Sequence, residues 1–440
     1  MTAARGLARD LALGVDVGGT NTDAVVVDTA GTVLAHTKHP TTDDVTGGIR
    51  ASTAAVLATI GQDRTRVSRV MLGTTHATNA IVGRRLLDRV AIVRLGAPAA
   101  TEYPPLIGWP ADLVDVVRAG SAMVGGGHMV DGTPIAPLDR DGIRRFLDGL
   151  DAVDAVAVTG IFSPSSPDQE LEVAALVREA NGPDTRVFCS HEIGPTGLLE
   201  RENATVLNAA LLTVARTVTD ALLAVVAEAG LDAVPYFAQN DGTLMSLDNA
   251  TRFPMLTIGS GPANSIRGAA FLSGVTDAIV VDVGGTTSDL GVVVSGFPRE
   301  STLPRRIGGV RTNFRMPDVV SVGVGGGTVI DTETGAVGPG SVGFRIVEEA
   351  LIFGGRTPTL TDAAALGGAP ITGRQLPSLA AATEAALRAG LEQAQTHLQE
   401  AVERLTLGRA GQPLVVVGGG GFLVPNELAG AGPVIRPDHG

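Results

Sequence analysis

An eight-residue motif occurs twice in this chain and constrains the fold more than any other feature. The first copy is Asp16-Val-Gly-Gly-Thr-Asn-Thr-Asp23, and the second is Asp282-Val-Gly-Gly-Thr-Thr-Ser-Asp289. Short apolar runs flank both copies, which predicts a strand, a glycine turn and a second strand in each. Glycine pairs allow the positive φ angles of a tight hairpin and let another group approach the backbone closely. The duplication predicts two lobes.

The residue types in the motif favour phosphate binding. Backbone N–H groups of such a turn can point at an anion, and threonine hydroxyls add further donors. Asp16 and Asp282 stand at strand ends, where their carboxylates can hold Mg²⁺ through its retained waters. One copy alone could be a plain hairpin, but two copies in matching contexts favour a nucleotide site. The predicted phosphate-binding residues of the two copies are Gly18, Gly19, Thr20, Asn21, Gly284, Gly285, Thr286 and Thr287.

Composition excludes several other classes of protein. Lys38 is the only lysine among 440 residues, which excludes a P-loop with its lysine. A formal net charge of −13 without a basic stripe argues against nucleic acid as a partner. The N-terminus is too polar for a signal peptide and no apolar run is long enough to span a bilayer, so we expect a cytoplasmic protein that binds no membrane. An apolar fraction of 44 % with only 3 % aromatic residues suits an α/β fold.

A second candidate anion site follows the strand predicted at residues 67–72. There Gly73-Thr74-Thr75 leads into a helix, which places hydroxyl and N–H groups at a helix N-terminus. Simple helix capping by Thr74 or Thr75 is the alternative. His76 follows directly and is a candidate contact for substrate or metal, with capping or packing as its alternative.

A run of four glycines ends the last strongly predicted strand. The strand covers residues 414–417 and the run is Gly418 to Gly421. Backbone without side chains can accept a flat base, so Gly419 and Gly420 are predicted to contact adenine. A further glycine cluster at residues 323–327 receives no specific role.

Three more residues are candidates for chemistry. His128 and His191 could contact a metal or substrate, although a lone histidine on a loop is more often solvated. Cys189, the only cysteine, is expected to be a buried inert thiol; the alternative is a nucleophile assisted by His191. The proline-rich stretch at residues 97–110 is predicted to be a loop or lid outside the core. One long core helix is predicted from Glu200 to Ala229, and another from Pro377 to Leu405.

Five segments together resemble the hydantoinase/oxoprolinase family, within the actin, sugar-kinase and Hsp70 ATPase superfamily. In the family's order they begin at Leu13, Gly73, Arg201, Ser260 and Asp282, and read LGVDVGGT, GTTHATNA, RENATVLNA, SGPA and DVGGTTSD. The resemblance implies an α/β fold of two ribonuclease-H-like lobes, the actin-like ATPase fold, closing on MgATP. The lobes are expected at residues 1–195 and 196–440.

The resemblance also implies a reaction. Members use ATP to phosphorylate an amide or carbonyl oxygen, so we expect a hydrolase that opens a cyclic amide or imide, hydantoin-like or 5-oxoproline-like. By motif position, Asp16 and Asp282 would organise Mg²⁺ and the reacting oxygen, and Asp289 would brace the second turn. A hydantoinase B-like second subunit and a homo-oligomer are the expected protein partners. A small-molecule kinase and a non-catalytic, ATP-gated regulatory or reactivating subunit are the alternatives.

The sequence departs from the family pattern in two respects. Long members carry a further C-terminal domain, which we expect this chain to lack, and it stops at Gly440 near the start of a closing helix in relatives. A truncated end is therefore an alternative. Members usually have histidine before Gly-Thr-Thr, whereas Leu72 stands there and His76 comes after.

Overall fold

The computed structural model describes residues 9–18, 21–40, 45–371, 374–406, 411–438 and 440. By contacts the chain forms two compact units. The first comprises Met1–Gly261 and Thr302–Met316, and the second comprises Pro262–Ser301 and Pro317–Gly440. The first unit thus extends beyond residue 195, where the sequence predicted the boundary between the two lobes. That boundary stays a prediction, because it refers to the segments of the family and not to compact units.

Strands and helices alternate in the first part of the chain. In order they are β1 (Leu11–Val17), β2 (Asn21–Val27), β3 (Val33–Pro40), α1 (Val45–Ile60), β4 (Val67–Thr74), α2 (His76–Gly83), β5 (Val90–Ala97), α3 (Ala111–Val117), β6 (Arg118–Gly125), α4 (Arg140–Asp148), β7 (Ala155–Gly160), α5 (Asp168–Asn181), β8 (Val187–Cys189), α6 (Leu198–Ala210), α7 (Leu212–Glu228), β9 (Val234–Ala238), β10 (Leu244–Ser246) and α8 (Leu247–Arg252).

The remaining elements belong mainly to the second unit, except that β14 and β15 lie in the first. They are α9 (Ser260–Ser273), β11 (Ala278–Val283), β12 (Ser288–Val294), β13 (Phe297–Pro298), β14 (Arg305–Ile307), β15 (Val310–Thr312), β16 (Val319–Val322), β17 (Thr328–Ile330), β18 (Val337–Ser341), α10 (Ile346–Glu349), α11 (Leu360–Leu366), α12 (Ala381–Thr406), β19 (Gln412–Val417) and β20 (Ala431–Ile435).

In the part of the chain that the structure describes, the first unit contains two larger sheets besides the two-stranded sheet of β14 and β15. One has the order β10-β9-β4-β1-β2-β3, in which β1 pairs antiparallel with β2 and parallel with β4. Its buried side chains, with those of α1 and α7, form one aliphatic core that includes Leu13, Ile49 and Leu222. The other sheet has the order β6-β5-β7-β8 and is parallel throughout. Strands buried on both faces explain its near-continuous Val, Ala and Ile runs.

The second unit repeats the pairing pattern of the first sheet. Its larger sheet has the order β13-β12-β11-β19-β20, with β16 also paired to β12. Here β11 pairs antiparallel with β12 and parallel with β19. Each copy of the motif therefore joins a two-stranded hairpin whose first strand has a parallel neighbour. The α12 helix begins at Ala381, four residues later than the sequence predicted, and packs in the core of this unit.

The long helix predicted from Glu200 to Ala229 is wrong as a single element. The chain forms α6 and α7 instead, bent by 49° at Leu211. Asp88 explains the break: its N–H donates to the carbonyl of Ala210, and its carboxylate accepts the N–H of Thr213 at 2.7 Å. Asp88, distant in sequence, thus satisfies the end of α6 with its backbone N–H and the start of α7 with its carboxylate. Among the described residues no single helix could cross a bilayer, and only this bent pair is long and apolar enough together.

The proline-rich stretch at residues 97–110 also differs from the prediction of a segment outside the core. Leu106 and Trp109 are buried within a core cluster that includes residues of α3 and α6. The indole Nε1 of Trp109 donates to Oδ1 of Asn203 at 2.7 Å, which satisfies the polar edge of the buried ring. Trp109 thus fixes this loop against the core, which the proline-rich composition of the segment did not indicate.

Candidate nucleotide-binding turns

In the second unit, the motif forms the predicted hairpin between β11 and β12. Asp282 pairs across the hairpin with Asp289, and the N–H of Gly284 donates to the carbonyl of Thr287 at 2.9 Å. Gly284, Gly285, Thr286 and Thr287 are all exposed. Two hydroxyl groups and a glycine backbone therefore face outward beside a carboxylate, an oxygen-rich donor set that fits Mg²⁺ and phosphate.

A glycine loop at residues 323–327 supports this turn from behind. The N–H of Gly326 donates to the carbonyl of Gly284 at 3.0 Å, and that of Gly327 to the carbonyl of Gly285 at 2.7 Å. A Cβ atom on Gly325 would lie 2.6 Å from the N of Thr286, so only glycine fits there. Sequence reasoning noted this glycine cluster but missed its role. The loop fixes the turn in one conformation before a ligand binds.

The four-glycine run lies against the end of β11. Gly418 has a φ of +86°, and a Cβ atom there would meet Asp282 and lie 2.6 Å from the carbonyl oxygen of Val283. The N–H of Gly420 donates to that carbonyl at 2.8 Å. Gly419 is exposed, and a Cβ atom there would meet open space. The run thus adjoins the motif, while contact of Gly419 and Gly420 with adenine stays a prediction.

Asp289 is the most perturbed carboxyl group of this hairpin. Burial raises its pKa, a hydrogen bond from the Ser321 hydroxyl at 2.5 Å opposes that shift, and the charge of Asp282 raises the pKa further. The charge of Asp282 therefore disfavours the ionised form of Asp289, which a bound cation would relieve. The bracing role of Asp289 stays a prediction.

In the first unit, the motif forms the corresponding hairpin between β1 and β2. Asp16 pairs across it with Asp23, and the N–H of Gly18 donates to the carbonyl of Asn21 at 3.0 Å. Gly19 and Thr20 lie outside the described residues. The pairing repeats that of the second copy residue for residue.

The Gly-Thr-Thr segment lies beside this first copy, because β4 runs parallel to β1. Asp16 is in register with Gly73, and the N–H of Thr75 donates to the carbonyl of Val17 at 3.2 Å. The hydroxyl of Thr75 donates to the same carbonyl at 3.2 Å. The structure thus brings together two segments that the sequence could only suggest separately.

Thr74 and His76 are bonded to each other. The Oγ1 of Thr74 accepts from the N–H of His76 at 3.2 Å and lies 2.6 Å from its Nδ1. Burial lowers the pKa of His76, which favours a neutral ring. Of the two capping candidates, Thr74 makes the side-chain contact with the helix start, whereas Thr75 bonds to β1. These bonds support the packing alternative for His76, and its contact with a ligand stays a prediction.

The remaining candidates gather at the parallel sheet. His128 is buried and its Nε2 lies 3.4 Å from Oδ1 of Asp168, so the expectation of a solvated loop histidine is wrong. Cys189 is buried. Mainly because of this burial, its pKa is raised to about 12, which keeps the thiol protonated. His191 bonds through Nδ1 to Oε2 of Glu170 at 2.6 Å. Sequence reasoning missed Glu170 because it lies on a helix with no motif.

Comparison with known families assigns the chain to one of them. Residues 12–181 match the family described as the hydantoinase/oxoprolinase N-terminal region, and residues 201–404 match the hydantoinase/oxoprolinase family. The chain belongs to the hydantoinase/oxoprolinase family. The family resemblance expected from the five sequence segments is confirmed.

Two curated relatives illustrate the kinship. The chain is 28 % identical to the caprolactamase subunit alpha of Pseudomonas jessenii over 382 residues, which cover 80 % of this chain and 53 % of the relative. It is 27 % identical to the acetone carboxylase beta subunit of Xanthobacter autotrophicus over 379 residues, which cover 76 % of this chain and 51 % of the relative. The chain thus spans about half the length of the curated relatives that it matches.

Solved structures agree on the fold. The crystal structure of the ATP-dependent caprolactamase from Pseudomonas jessenii matches with a TM-score of 0.73 and 25 % identity, over 93 % of this chain and 65 % of that chain. The nucleotide-free acetone carboxylase structure matches with a TM-score of 0.66 and 21 % identity, over 94 % and 66 %. The predicted α/β architecture of the actin-like ATPase class is confirmed.

Proposed function

We propose that this chain is the ATP-dependent component of a hydrolase that opens a cyclic amide or imide, hydantoin-like or 5-oxoproline-like. The observation that carries the proposal is the duplicated Asp-Val-Gly-Gly-Thr hairpin, with the same cross-strand aspartate pair in both units. Membership of the hydantoinase/oxoprolinase family supports it. So does the name of a relative, caprolactamase, which is described as ATP-dependent.

The residues of both turns suit a magnesium nucleotide. Asp16 and Asp282 offer hard oxygen ligands, and the exposed Thr286 and Thr287 offer hydroxyl donors. Mg²⁺, when bound, would neutralise phosphate charge at these carboxylates. Phosphoryl transfer requires mainly positioning and charge stabilisation, which backbone and hydroxyl groups can provide without a P-loop lysine.

The proposed reaction is the one that the family implies. The carbonyl oxygen of the cyclic amide accepts the terminal phosphoryl group of ATP, and the bond to ADP breaks. Water then adds to the activated carbon, the C–N bond breaks, the nitrogen takes a proton and phosphate leaves. The products are the ring-opened acid, ADP and phosphate. In this scheme the chain's own residues hold the nucleotide and the carbonyl oxygen in line.

We also propose that a second, larger subunit completes the reaction. The matched relatives carry the names of subunits, alpha in one protein and beta in the other. The chain spans about half of their length. The matched segments at residues 12–181 and 201–404 support the proposed division near residue 195.

An ATPase assay tests the proposal. The purified chain, alone and with a co-expressed large subunit, is screened against hydantoin, 5-oxoproline, other lactams and imides, with phosphate and ring-opened product both measured. Asp282→Asn is expected to reduce turnover by about 100-fold, whereas Asp277→Asn, an exposed aspartate just before β11, is the matched control and should retain it.

The products decide between the alternatives. Phosphate released together with a ring-opened acid supports the proposal. A stable phosphorylated metabolite would instead identify a small-molecule kinase. Slow ATP turnover that ignores lactams and responds to a protein partner would identify a regulatory subunit.

A further inference from the structure

The four-stranded parallel sheet of the first unit has a topological switch point between β5 and β7. After β5 the chain enters α3, whose Leu113 and Val117 pack on one face of the sheet. After β7 it enters α5, whose Val173 and Val177 pack on the opposite face. In open α/β sheets, ligands bind outside the carboxyl ends of strands at such a point. The sheet is separate from the one that holds the Asp16 turn.

A buried carboxylate lies at this end of the sheet. Glu170, in the first turn of α5, is 1 % exposed. Its oxygens accept the N–H of Gly160 at 2.7 Å, the hydroxyl of Ser190 at 2.6 Å and the N–H of His191 at 3.0 Å. Burial raises the pKa of Glu170, but hydrogen bonds from His191 and Ser190 outweigh it and lower the pKa. Glu170 is therefore ionised although it is buried.

A buried guanidinium completes the cluster. Arg201 on α6 is 1 % exposed and donates through Nε to the hydroxyl of Ser190 at 2.9 Å. It also donates to the carbonyls of Gly160 and Pro195. Burying two opposite charges linked through one serine carries a desolvation penalty that their attraction need not repay, so stability alone is a weak reason for the arrangement. Perturbed, buried charges of this kind concentrate at functional sites.

His191 is the member of the cluster with access to solvent. Its Nδ1 bonds to Oε2 of Glu170 at 2.6 Å, and its side chain is 16 % exposed. This bond fixes the ring and leaves Nε2 to face a ligand. Glu170 raises the pKa of His191, burial opposes the shift, and the charge of Glu192 raises it while that of Arg201 lowers it. With His191 protonated, and with Glu192 compensated by its own ion pair with Arg252, His191, Glu170 and Arg201 leave a net charge of +1.

Two kinds of ligand could contact His191 at this strand end, an anion and a metal ion. A metal ion on Glu170, Cys189 and His191, whose ligand atoms lie within 4.8 Å of one another, fits less well. The carboxylate oxygens of Glu170 already accept hydrogen bonds, and the Cys189 thiol, with a pKa of about 12, stays protonated.

We propose that the carboxyl end of this sheet binds a small carboxylate, which His191, positioned by Glu170, holds through its Nε2–H. The excess positive charge of the cluster selects an anion over a neutral amide of the same shape. The inference does not depend on the proposed hydrolase reaction, because it rests on the sheet topology and the charge cluster alone.

NMR on the full chain with labelled histidine tests this proposal. The His191 signal is assigned by its loss in His191→Gln, and sodium acetate and acetamide are the probes. Acetate is expected to shift the His191 resonances and raise its pKa, with acetamide binding at least about ten-fold more weakly. Acetate binding should weaken as pH rises through the His191 pKa.

Two variants separate binding from structure. At a pH where His191 is protonated in the wild type but not in the variant, Glu170→Gln should weaken acetate binding about ten-fold, because it lowers the His191 pKa. Glu192→Gln, which keeps the Glu170 bond, is the matched control and should change binding less. Because Glu170→Gln removes a buried charge, His191→Gln serves as the binding-deficient variant if the former does not fold. Unchanged His191 resonances in wild-type protein at high acetate would overturn the proposal, and so would equal binding of acetate and acetamide.

Discussion

The two copies of the motif have the same hairpin but different neighbours. In both, the first aspartate pairs with the last across the strands, and the first glycine N–H closes the turn. The strand parallel to the first copy ends in Gly-Thr-Thr and opens a helix, whereas the strand parallel to the second ends in four glycines. The same eight-residue motif therefore lies beside different neighbours in the two units. We infer that these neighbours determine which chemical groups surround each turn.

The final aspartates show this difference most clearly. Asp23 is half exposed and lies 3.5 Å from the amine of Lys38. Asp289 instead accepts a hydrogen bond from the Ser321 hydroxyl, and burial together with the charge of Asp282 raises its pKa. In the second copy the charge of Asp282 thus disfavours the ionised form of Asp289, whereas Asp23 in the first copy has a compensating cation in Lys38. We infer that a bound cation matters more to the second copy.

The largest effect is expected where the four-glycine run meets the second copy. Gly418→Ala adds a Cβ atom against Asp282 at a φ of +86°, which strains both the backbone and the contact. We expect a loss of about 2–4 kcal/mol in the free energy of unfolding. Gly419→Ala is the control, since its Cβ atom would meet open space. Equal denaturation midpoints for the two variants would show that the contact with Asp282 is unimportant.

A smaller effect is expected in the loop behind the second turn. Gly325→Ala would place a Cβ atom 2.6 Å from the N of Thr286. The loop must move, so we expect about 1–3 kcal/mol of destabilisation and weaker nucleotide affinity, measured by calorimetry. Gly323→Ala, in the same loop but with nothing within 4 Å of its Cβ atom, is the control. If Gly325→Ala left nucleotide affinity unchanged, the loop would not be needed for nucleotide binding by the turn.

These glycines mark the limit of what sequence could predict. The hairpins were predictable because alternation of apolar residues and paired glycines are local signals. The roles of Gly325 and Gly418 were not, since each depends on a turn that is distant along the chain. The same holds for Asp88, which divides the long helix through Thr213, and for Glu170, which holds His191. The sequence thus located the two motif copies, whereas the residues that support them could be identified only from contacts in the folded structure.

A pH-dependent effect distinguishes the two final aspartates. The raised pKa of Asp289 means that its contribution to stability is full below the unfolded value, 3.8, and is lost as pH rises through the folded pKa. Asp289→Asn should therefore raise the thermal unfolding midpoint at neutral pH in the absence of Mg²⁺, with the gain vanishing below that value. Asp23→Asn is the comparison and should show no such gain. A gain independent of pH would contradict the role of ionisation.

The smallest effect is expected at the only lysine. Lys38 is 64 % exposed at its side chain and pairs with Asp23 across β2 and β3. Exposed ion pairs contribute about 0–1 kcal/mol, so Lys38→Gln should change stability by no more than that. Nucleotide affinity should stay the same, with Lys38→Arg as the charge-preserving control, if backbone and hydroxyl groups recognise the phosphates. A ten-fold loss of ATP affinity restored by arginine would instead assign the phosphate contact of the first copy to its cation, and the two copies would then differ in mechanism as well as in surroundings.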